Sequence, residues 1–557
     1  MTRRVISAVK LFGLNGLGIA SFLLFALSPG VVFGFLVGAV AIAIAWYRYR
    51  RSGMGKAVVV RLLVLTGVIT TYAPSLQDGN DFWLLAATAL TMAVVVNESI
   101  VSRAVGKARL AVANLDGISA RDEVVFDRQL IFHADIGMVV LIGAFAAAGL
   151  PSWPLALAAG VVCVGVATLL LDARRLIGKK AETWAAFRST LEVHDPAFAV
   201  YFSGPPGGLY QLSMWLPYFE RLGLPYVVVL REGHSFNTIR ELTNAPVVQC
   251  TSIASLDNVA TMPNLHAAFY VNNGMKNSHF VKYRHITHIQ LLHGDSDKPP
   301  SYNPVTGMYD RIFVAGRAGV DRYANHGVHI PETKFDVVGR PQVETIDVTD
   351  AHIGDKGDKV VLYAPTWTGY SEDVNYCSLP AARKMLRRLL DRDVTVILRE
   401  HPYTAKNPES ARQLAALQQM LDADTRATGR RHLFGSAASV DLTLVECFNR
   451  ADAMISDVSG VVSDFLFSKK PFAITDMVDE REEFIETFPL ARAAYVFRRD
   501  MSNVDDVLDQ LLKVDPLEAT RRQARTYYLG DYPVETYAEA FVERARHYAV
   551  TPHELVG

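Results

Sequence analysis

The sequence predicts an α/β protein, two doubly wound Rossmann-type domains preceded by an all-α transmembrane domain of about six helices. Three observations carry this. Six apolar stretches crowd into residues 1–175, short β-branched runs alternate with helix-length segments from residue 196 onward, and a polar linker divides that alternation in two. At roughly 100–200 residues per domain, 557 residues allow about three or four domains. Half the residues are hydrophobic, which excludes a disordered or fibrous chain. The 56 Lys+Arg against 57 Asp+Glu give a net charge of −1, which argues against a general nucleic-acid binder. Cys163, Cys250, Cys377 and Cys447 form no CxxC pair, so neither a disulfide framework nor a thiolate zinc site is expected.

The apolar stretches are Val5–Leu27, Val31–Tyr47, Ala57–Tyr72, Phe82–Val96, Ala134–Leu150 and Pro154–Leu171. Several fall short of the ~20 residues that cross hydrocarbon, so each alone reads equally as a buried core helix. The connections decide between the two. Ser28-Pro29-Gly30, residues 73–81 and residues 151–154 carry no Lys or Arg. The alternate connections hold Arg3, Arg4 and Lys10, then Arg48, Arg50, Arg51 and Lys56, then Arg103, Lys107, Arg109, Arg121 and Arg128. Arg174, Arg175, Lys179 and Lys180 follow the sixth stretch. Basic residues stay inside, so three membrane hairpins are expected in residues 1–175, with both termini and everything downstream cytoplasmic. Trp46, Tyr47, Tyr72, Trp83 and Trp153 fall at the expected interfaces. Residues 176–195 read as a basic juxtamembrane helix, either a stop-transfer cluster and linker or a segment held against anionic lipid.

In the first soluble domain, residues 196–346, strands are expected at Ala197–Phe202, Tyr226–Leu230, Pro246–Cys250, Ala267–Val271, Thr287–Leu292, Arg311–Ala315 and Phe335–Val338. Residues 347–359 (DVTDAHIGDKGDK) read as a linker. In the second domain, residues 360–557, strands are expected at Val360–Tyr363, Val394–Leu398, His432–Phe434, Ala453–Ile455 and Pro471–Ile474, with a helical C-terminal segment. Two parallel sheets place ligands at the carboxyl ends of their strands.

Four stretches follow apolar strands. In Leu292-His293-Gly294 the Gly allows a sharp turn and leaves the imidazole at a strand end, where it suits a general base or merely caps the turn. Lys298, a few residues on, is a candidate phosphate ligand. His279, His285 and His288 match no metal-site spacing. Pro365-Thr366-Trp367 offers hydroxyls and amides to a phosphate or base, or is a plain strand-to-loop turn. Arg399-Glu400-His401-Pro402 presents two cationic donors at one point, or a surface Arg–Glu pair. Ser456-Asp457-Val-Ser459-Gly460 opens a helix that Ser456 or Asp457 would cap, either as a diphosphate site with Ser459 and Gly460 in close approach or as a simple N-cap. Glu446, on the preceding helix, is a candidate ribose contact or an exposed carboxylate. No GxxxxGK[ST], GxSxG or kinase motif is present, which disfavours ATP hydrolysis and esterase chemistry.

In order, His293-Gly294, Pro365-Thr366-Trp367, Arg399-x-His401-Pro402 and Ser456-Asp457-x-Ser459-Gly460-x-x-x-Asp464-Phe465 resemble the CDP-glycerol glycerophosphotransferase family of teichoic acid primases and polymerases. The resemblance covers roughly residues 196–550. It implies a GT-B fold, a CDP-polyol donor (glycerol, ribitol or another polyol), a lipid-linked or polymeric hydroxyl acceptor in cell-wall polymer synthesis, and release of CMP. It implies His293 as the catalytic base, with Arg399, His401, Ser459 and the amides near Gly460 on the diphosphate and Glu446 on the ribose or cytidine. No cofactor and no divalent metal are expected, since basic donors and a helix terminus neutralise the diphosphate. The expected partners are the donor, the acceptor and membrane lipid, with no nucleic acid. The sequence departs from the family at Leu292, where Trp is common, at Asp295-Ser-Asp-Lys298, and at Ser459-Gly460, where a Ser-Ser pair is usual. Arg481, Arg498 and Arg499 are candidates for a late family arginine. Two alternatives stand beside this reading: a GT-B glycosyltransferase with a nucleotide-sugar donor, and a transporter or scaffold with a nucleotide-binding domain.

Overall fold

The computed structural model describes residues 2–27, 31–49, 58–75, 79–108, 110–118, 128–369, 375–478 and 483–555. They divide into two units, residues 1–111 with 118–187 and residues 112–117 with 188–557.

The first unit is all-α. Helices Thr2–Ala26, Val31–Tyr49, Val58–Tyr72, Gly79–Ala108, Arg128–Ala148 and Trp153–Gly178 fall on the six apolar stretches. Two of them, over Gly79–Ala104 and Trp153–Gly178, are long and apolar enough to cross a membrane, by length and composition, while the other apolar helices among the described residues are shorter. The last helix buries Leu155, Ala159, Val166 and Leu169 and turns Leu157, Val161, Val164 and Leu171 outward. A helix apolar all round belongs in a core or in lipid.

Its interior also holds charge. Arg61 of helix Val58–Tyr72 donates one nitrogen to Asp135 Oδ2 and another to Glu98 Oε2, and all three side chains are almost fully buried. Three helices are thus pinned at one point, since a guanidinium is tolerated in the interior only where carboxylates face it. Arg61 falls within the apolar stretch Ala57–Tyr72, and the two acids lie 37 and 74 residues away. Breaking such a group from one side leaves an uncompensated charge, so Arg61→Leu is expected to destabilise the full chain in detergent by about 3–5 kcal/mol. Replacing Arg61, Glu98 and Asp135 together with Leu is expected to recover most of that loss. Thermal unfolding checks it, and equal losses in the single and triple variants would contradict the pairing.

The second unit contains two sheets. The first is β1 (Val112–Ala113), β2 (Phe198–Phe202), β3 (Tyr226–Leu230), β4 (Val247–Gln249), β5 (Ala267–Tyr270), β6 (Thr287–Gln290), β7 (Arg311–Val314) and β8 (Phe335–Val337). Their order is β1-β4-β3-β2-β5-β6-β7-β8, parallel except for the antiparallel edge strand β1. The central strands are buried on both faces, which is why their sequences are unbroken runs such as Tyr226-Val-Val-Val-Leu230. The order reverses between β2 and β5, whose following loops, at Ser203–Gly208 and Val271–Gly274, therefore diverge and open a crevice.

The second sheet is β9 (Val360–Ala364), β10 (Thr395–Leu398), β11 (Ala453–Ser456), β12 (Phe472–Asp476) and β13 (Tyr495–Arg498), all parallel in the order β10-β9-β11-β12-β13. Here the reversal lies between β9 and β11, so Pro365–Trp367 and Asp457–Gly460 flank the second crevice.

Three differences from expectation are local. His432–Phe434 makes only an isolated bridge, Leu433 with Ile397, because the chain meets β10 at one residue. β1 and β13 were not foreseen. The C-terminal helix Glu539–Val550, expected with the second domain, packs on the first sheet: the Phe541 ring lies 5.2 Å from Trp215 and 6.0 Å from Phe313, and Arg544 pairs with Asp336.

Candidate active site

The chain turns sharply after β6. Gln290 is buried and its amide closes the strand end, Nε2 donating to Asn272 O (3.0 Å) and Asn273 Oδ1 (2.8 Å) while Oε1 accepts from the N–H groups of Leu291 and Leu292. Leu292 takes a left-handed conformation (φ 56°), and Trp215 Nε1 donates to its carbonyl at 2.9 Å. This non-glycine strain aims the next residue, His293, into the cleft. A carbonyl only accepts, so the 3.2 Å contact between His293 Nδ1 and Val271 O puts the ring proton on Nδ1 and leaves Nε2 with its lone pair. Nε2 faces the Gln211 amide nitrogen at 3.4 Å, and Gln211 Oε1 is in turn held by Asn272 Nδ2 at 3.0 Å. Burial, with the nearby Arg340 charge, lowers the His293 pKa to about 4. The imidazole is therefore neutral at ordinary pH, in the tautomer a general base needs.

The loops of the second sheet supply the opposite wall. Ser459 is the N-cap of helix Gly460–Phe465, its Oγ accepting from Val461 N at 3.4 Å. Ser456 and Asp457, the expected caps and donor contacts, are instead fully buried and form its framework. Ser456 Oγ donates to Ala364 O (2.7 Å). Asp457 accepts from Thr366 N (2.7 Å), Ser378 N (3.2 Å) and Thr475 Oγ1 (2.6 Å), which ties the loops after β9 and β11 to each other and to strand β12. Gly460 lies against the His loop: a Cβ there would stand 3.3 Å from Asp295 O and 3.8 Å from Gly294 Cα. The loop carrying the base and the start of the Ser459-Gly460 helix are thus in contact.

Lys298 and Thr366, far apart in sequence, meet at 3.4 Å, with the Lys298 ammonium 5.1 Å from the Tyr376 ring. Burial lowers the Lys298 pKa to about 8 against the opposing pull of Asp457. His401 stacks on Trp367 (6.0 Å, 20°), and its Nδ1 accepts from Tyr403 N at 3.1 Å. Burial and the charges of Lys298 and Lys406 lower its pKa to about 4. Gly207, at the tip of the Ser203-Gly-Pro-Pro-Gly-Gly208 loop, faces Tyr403, whose ring would lie 3.4 Å from a Cβ there. Lys298, Thr366, His401 and Ser459 are thus lodged in cleft-side loops of the two sheets.

Arg399 and Glu446 sit differently. Arg399 Nη1 donates to the carbonyls of Ala438 and Leu442, fixing the loop ahead of helix Leu444–Arg450. Glu446 is exposed and closes a capping box on that helix, its Oε2 accepting from Thr443 N (2.7 Å) and Thr443 Oγ1 (2.8 Å). The local sequence Thr443-x-x-Glu446 accounts for this without a ligand. Arg498, the last residue of β13, and Arg499 after it are exposed, and Arg481 lies outside the described residues. Among the described residues no group of three or more His, Cys, Asp and Glu is placed to hold a metal ion.

The residue that sequence reasoning missed is Arg340. It follows β8 in Val338-Gly339-Arg340-Pro341, the same strand-then-turn pattern that marks His293, and that pattern was the available signal. Buried, it donates from Nε and Nη2 to both oxygens of Asp464 on helix Gly460–Phe465, and from Nη2 to His293 O at 3.4 Å. Arg322 does similar work beneath the His loop, binding Asp295 and, at 3.1 Å, Asp297. These contacts give Asp295 and Asp297 a structural role beneath the His loop.

Among curated proteins, none matches the chain in sequence. Several solved structures align with it at low similarity. The S. aureus MnaA–UDP structure is 17% identical and covers 63% of this chain and 96% of its own, with a TM-score of 0.43. A putative UDP-N-acetylglucosamine 2-epimerase from Listeria monocytogenes is 13% identical over 64% and 98%, with a TM-score of 0.44. The wall teichoic acid polymerase TagF is 13% identical over 68% and 96%, with a TM-score of 0.39. The family comparison is more specific: residues 332–513, which span the whole second sheet together with His401, Ser459 and Gly460, match the model of the CDP-glycerol:poly(glycerophosphate) glycerophosphotransferase family.

Proposed function

We propose that the chain is a membrane-anchored transferase that moves glycerol phosphate from CDP-glycerol to a hydroxyl of a lipid-linked or polymeric acceptor, releasing CMP, in teichoic-acid-like polymer synthesis. The observation that carries the reading is the contact of the His293–Asp295 turn with Gly460, which sets a neutral, acceptor-ready imidazole beside a Ser-capped helix start. In the proposed step the acceptor hydroxyl gives its proton to His293 Nε2. Its oxygen attacks the β-phosphorus, the bond from that phosphorus to the bridging oxygen breaks, and CMP leaves with the electron pair. Lys298, Thr366, His401, Ser459 and the amide of Gly460 bind the diphosphate and stabilise the charge that builds on it. The reading calls for no cofactor and no metal ion. It includes six membrane spans with both termini and the two sheets in the cytoplasm, supported by the alternation of basic and uncharged connections.

The test is product analysis with purified full-length protein in detergent, offering CDP-glycerol, CDP-ribitol and UDP-sugars in turn with a lipid-linked acceptor. CMP release from CDP-glycerol is expected, dependent on acceptor. His293→Ala is expected to lower turnover by at least about 100-fold, in line with loss of a general base, while CDP-glycerol still binds. UDP release with CDP-polyols inert would replace this reading with sugar transfer, and full turnover in His293→Ala would remove His293 from the mechanism.

The pH profile follows from the two shifted groups. His293 serves as a base only when neutral, above about 4, and Lys298 holds the diphosphate as a cation only below about 8. The plot of kcat/KM against pH is expected to rise through about 4, level off, and fall through about 8. Lys298→Arg is expected to shift the falling limb to higher pH, since Arg keeps its charge. An unmoved falling limb in that variant would take Lys298 out of donor binding.

A further inference from the structure

The second sheet carries an exposed groove that the reading above leaves unused. Helix Ala382–Leu390 buries Met385, Leu386 and Leu389 and turns Arg383, Lys384 and Arg387 outward. With Arg499, from the turn after β13, these line an open groove of about 570 Å³. Neighbouring cations are already paired, Arg388 with Asp391 and Asp505, and Arg392 with Asp505 and Asp509. Arg383, Lys384, Arg387 and Arg499 make no ion pair among the described residues. The one carboxylate of the groove is Asp500, which accepts from Ser502 N at 2.9 Å and is held below its usual pKa mainly by that bond. Like charges at Arg383 and Arg387, one helical turn apart, work against the helix that bears them. Arg387 complements the C-terminal end of the helix dipole and Lys384 acts on Asp500, yet four cations face one carboxylate, a surplus that an anionic ligand would neutralise.

The rim of the groove is also close along the chain to the cleft. The Tyr376 ring lies under Lys298, Ser378 N is bound by Asp457, and Pro380 forms the near rim. Pro380 is the fourth residue after Tyr376, so the rim lies within about 14 Å of the Tyr376 backbone at full extension.

We propose that this groove binds a linear polyanion of repeated phosphodiester charges and holds the acceptor chain as it leaves the cleft. The second part rests on the reading of the cleft as a glycerophosphotransferase site. A polymer is favoured over lipid headgroups because the cations line a concavity whose rim, Pro380, stands four residues after the Tyr376 that packs on Lys298, which suits a chain leaving the cleft better than a flat bilayer. Several phosphates bound at once would release counterions and make binding steeply salt-dependent.

The experiment uses full-length protein in neutral detergent and the variant R383Q/K384Q/R387Q/R499Q. With a ten-unit glycerol phosphate oligomer as acceptor, the variant is expected to show roughly a tenfold higher KM, unchanged kcat and a shallower salt dependence. With a one-unit acceptor it is expected to match wild type. An all-lysine variant, R383K/R387K/R499K, is expected to keep the wild-type KM, since charge and not shape is what it preserves. Equal KM for both acceptors in the glutamine variant would overturn the proposal, as would a defect that appears only when phosphatidylglycerol is added to the micelles. Fluorescence anisotropy of a labelled ten-unit oligomer needs no turnover. Loss of oligomer binding in the variant of a protein inert towards CDP-glycerol would sustain the groove and defeat the transferase reading. Intact oligomer binding in the variant would defeat the groove alone.

Discussion

The Arg340–Asp464 pair is the contact on which the cleft depends. Arg340 lies in the turn after the first sheet's last strand and Asp464 lies one turn into the helix that Ser459 caps, so their double hydrogen bond fixes the base-bearing half against the helix-bearing half. The same guanidinium reaches the carbonyl of His293. Its own N–H donates to the Tyr537 hydroxyl at 3.1 Å, and that hydroxyl donates to Leu529 O, which secures the clamp to the C-terminal segment. Taking an Arg and a carboxylate out of water is costly, and a bidentate pair with a third acceptor comes close to offsetting that cost. What it adds is position, which an apolar contact of equal size would leave looser.

Around the clamp, the polar groups divide into those that hold the frame and those left facing the cleft. Gln290 and Asn272 join the turns after β5 and β6 in the first sheet, and Asp457 joins the turns after β9 and β11 to strand β12 in the second. His293 Nε2 and Lys298 Nζ lie at the edge of that frame. Both have pKa values lowered by burial, to about 4 and about 8, so one group is neutral and the other charged over the same range of pH. That split is what a step needing one base and one cation requires.

Much of this was legible in the residues. Unbroken apolar strands such as Tyr226–Leu230 appear at the expected positions because burial on both faces leaves no alternation to misread. His293-Gly294 declared itself by strand, His and Gly in sequence. Other features depend on partners that local sequence does not show. Ser456 and Asp457 have the composition of a phosphate loop, yet the backbone turns them inward and leaves Ser459 to cap the helix. Glu446 carried its own explanation three residues upstream in Thr443. Asp135 and Glu98 look like isolated acids in apolar helices until Arg61 is seen between them. The return of the last helix to the first sheet is likewise a tertiary event, decided by where Phe541 finds Trp215 and Phe313.

The most direct test of the clamp is a double-mutant cycle on kcat/KM with Arg340→Ala and His293→Ala, in protein whose folding is verified by thermal unfolding. Displacing a reacting group by about 1 Å costs on the order of 100-fold, so Arg340→Ala alone is expected to lose about that much. If Arg340 acts by positioning His293, removing it from the His293→Ala protein is expected to cost little more. Fully additive losses would mean that Arg340 serves the reaction independently of His293, and would contradict the account.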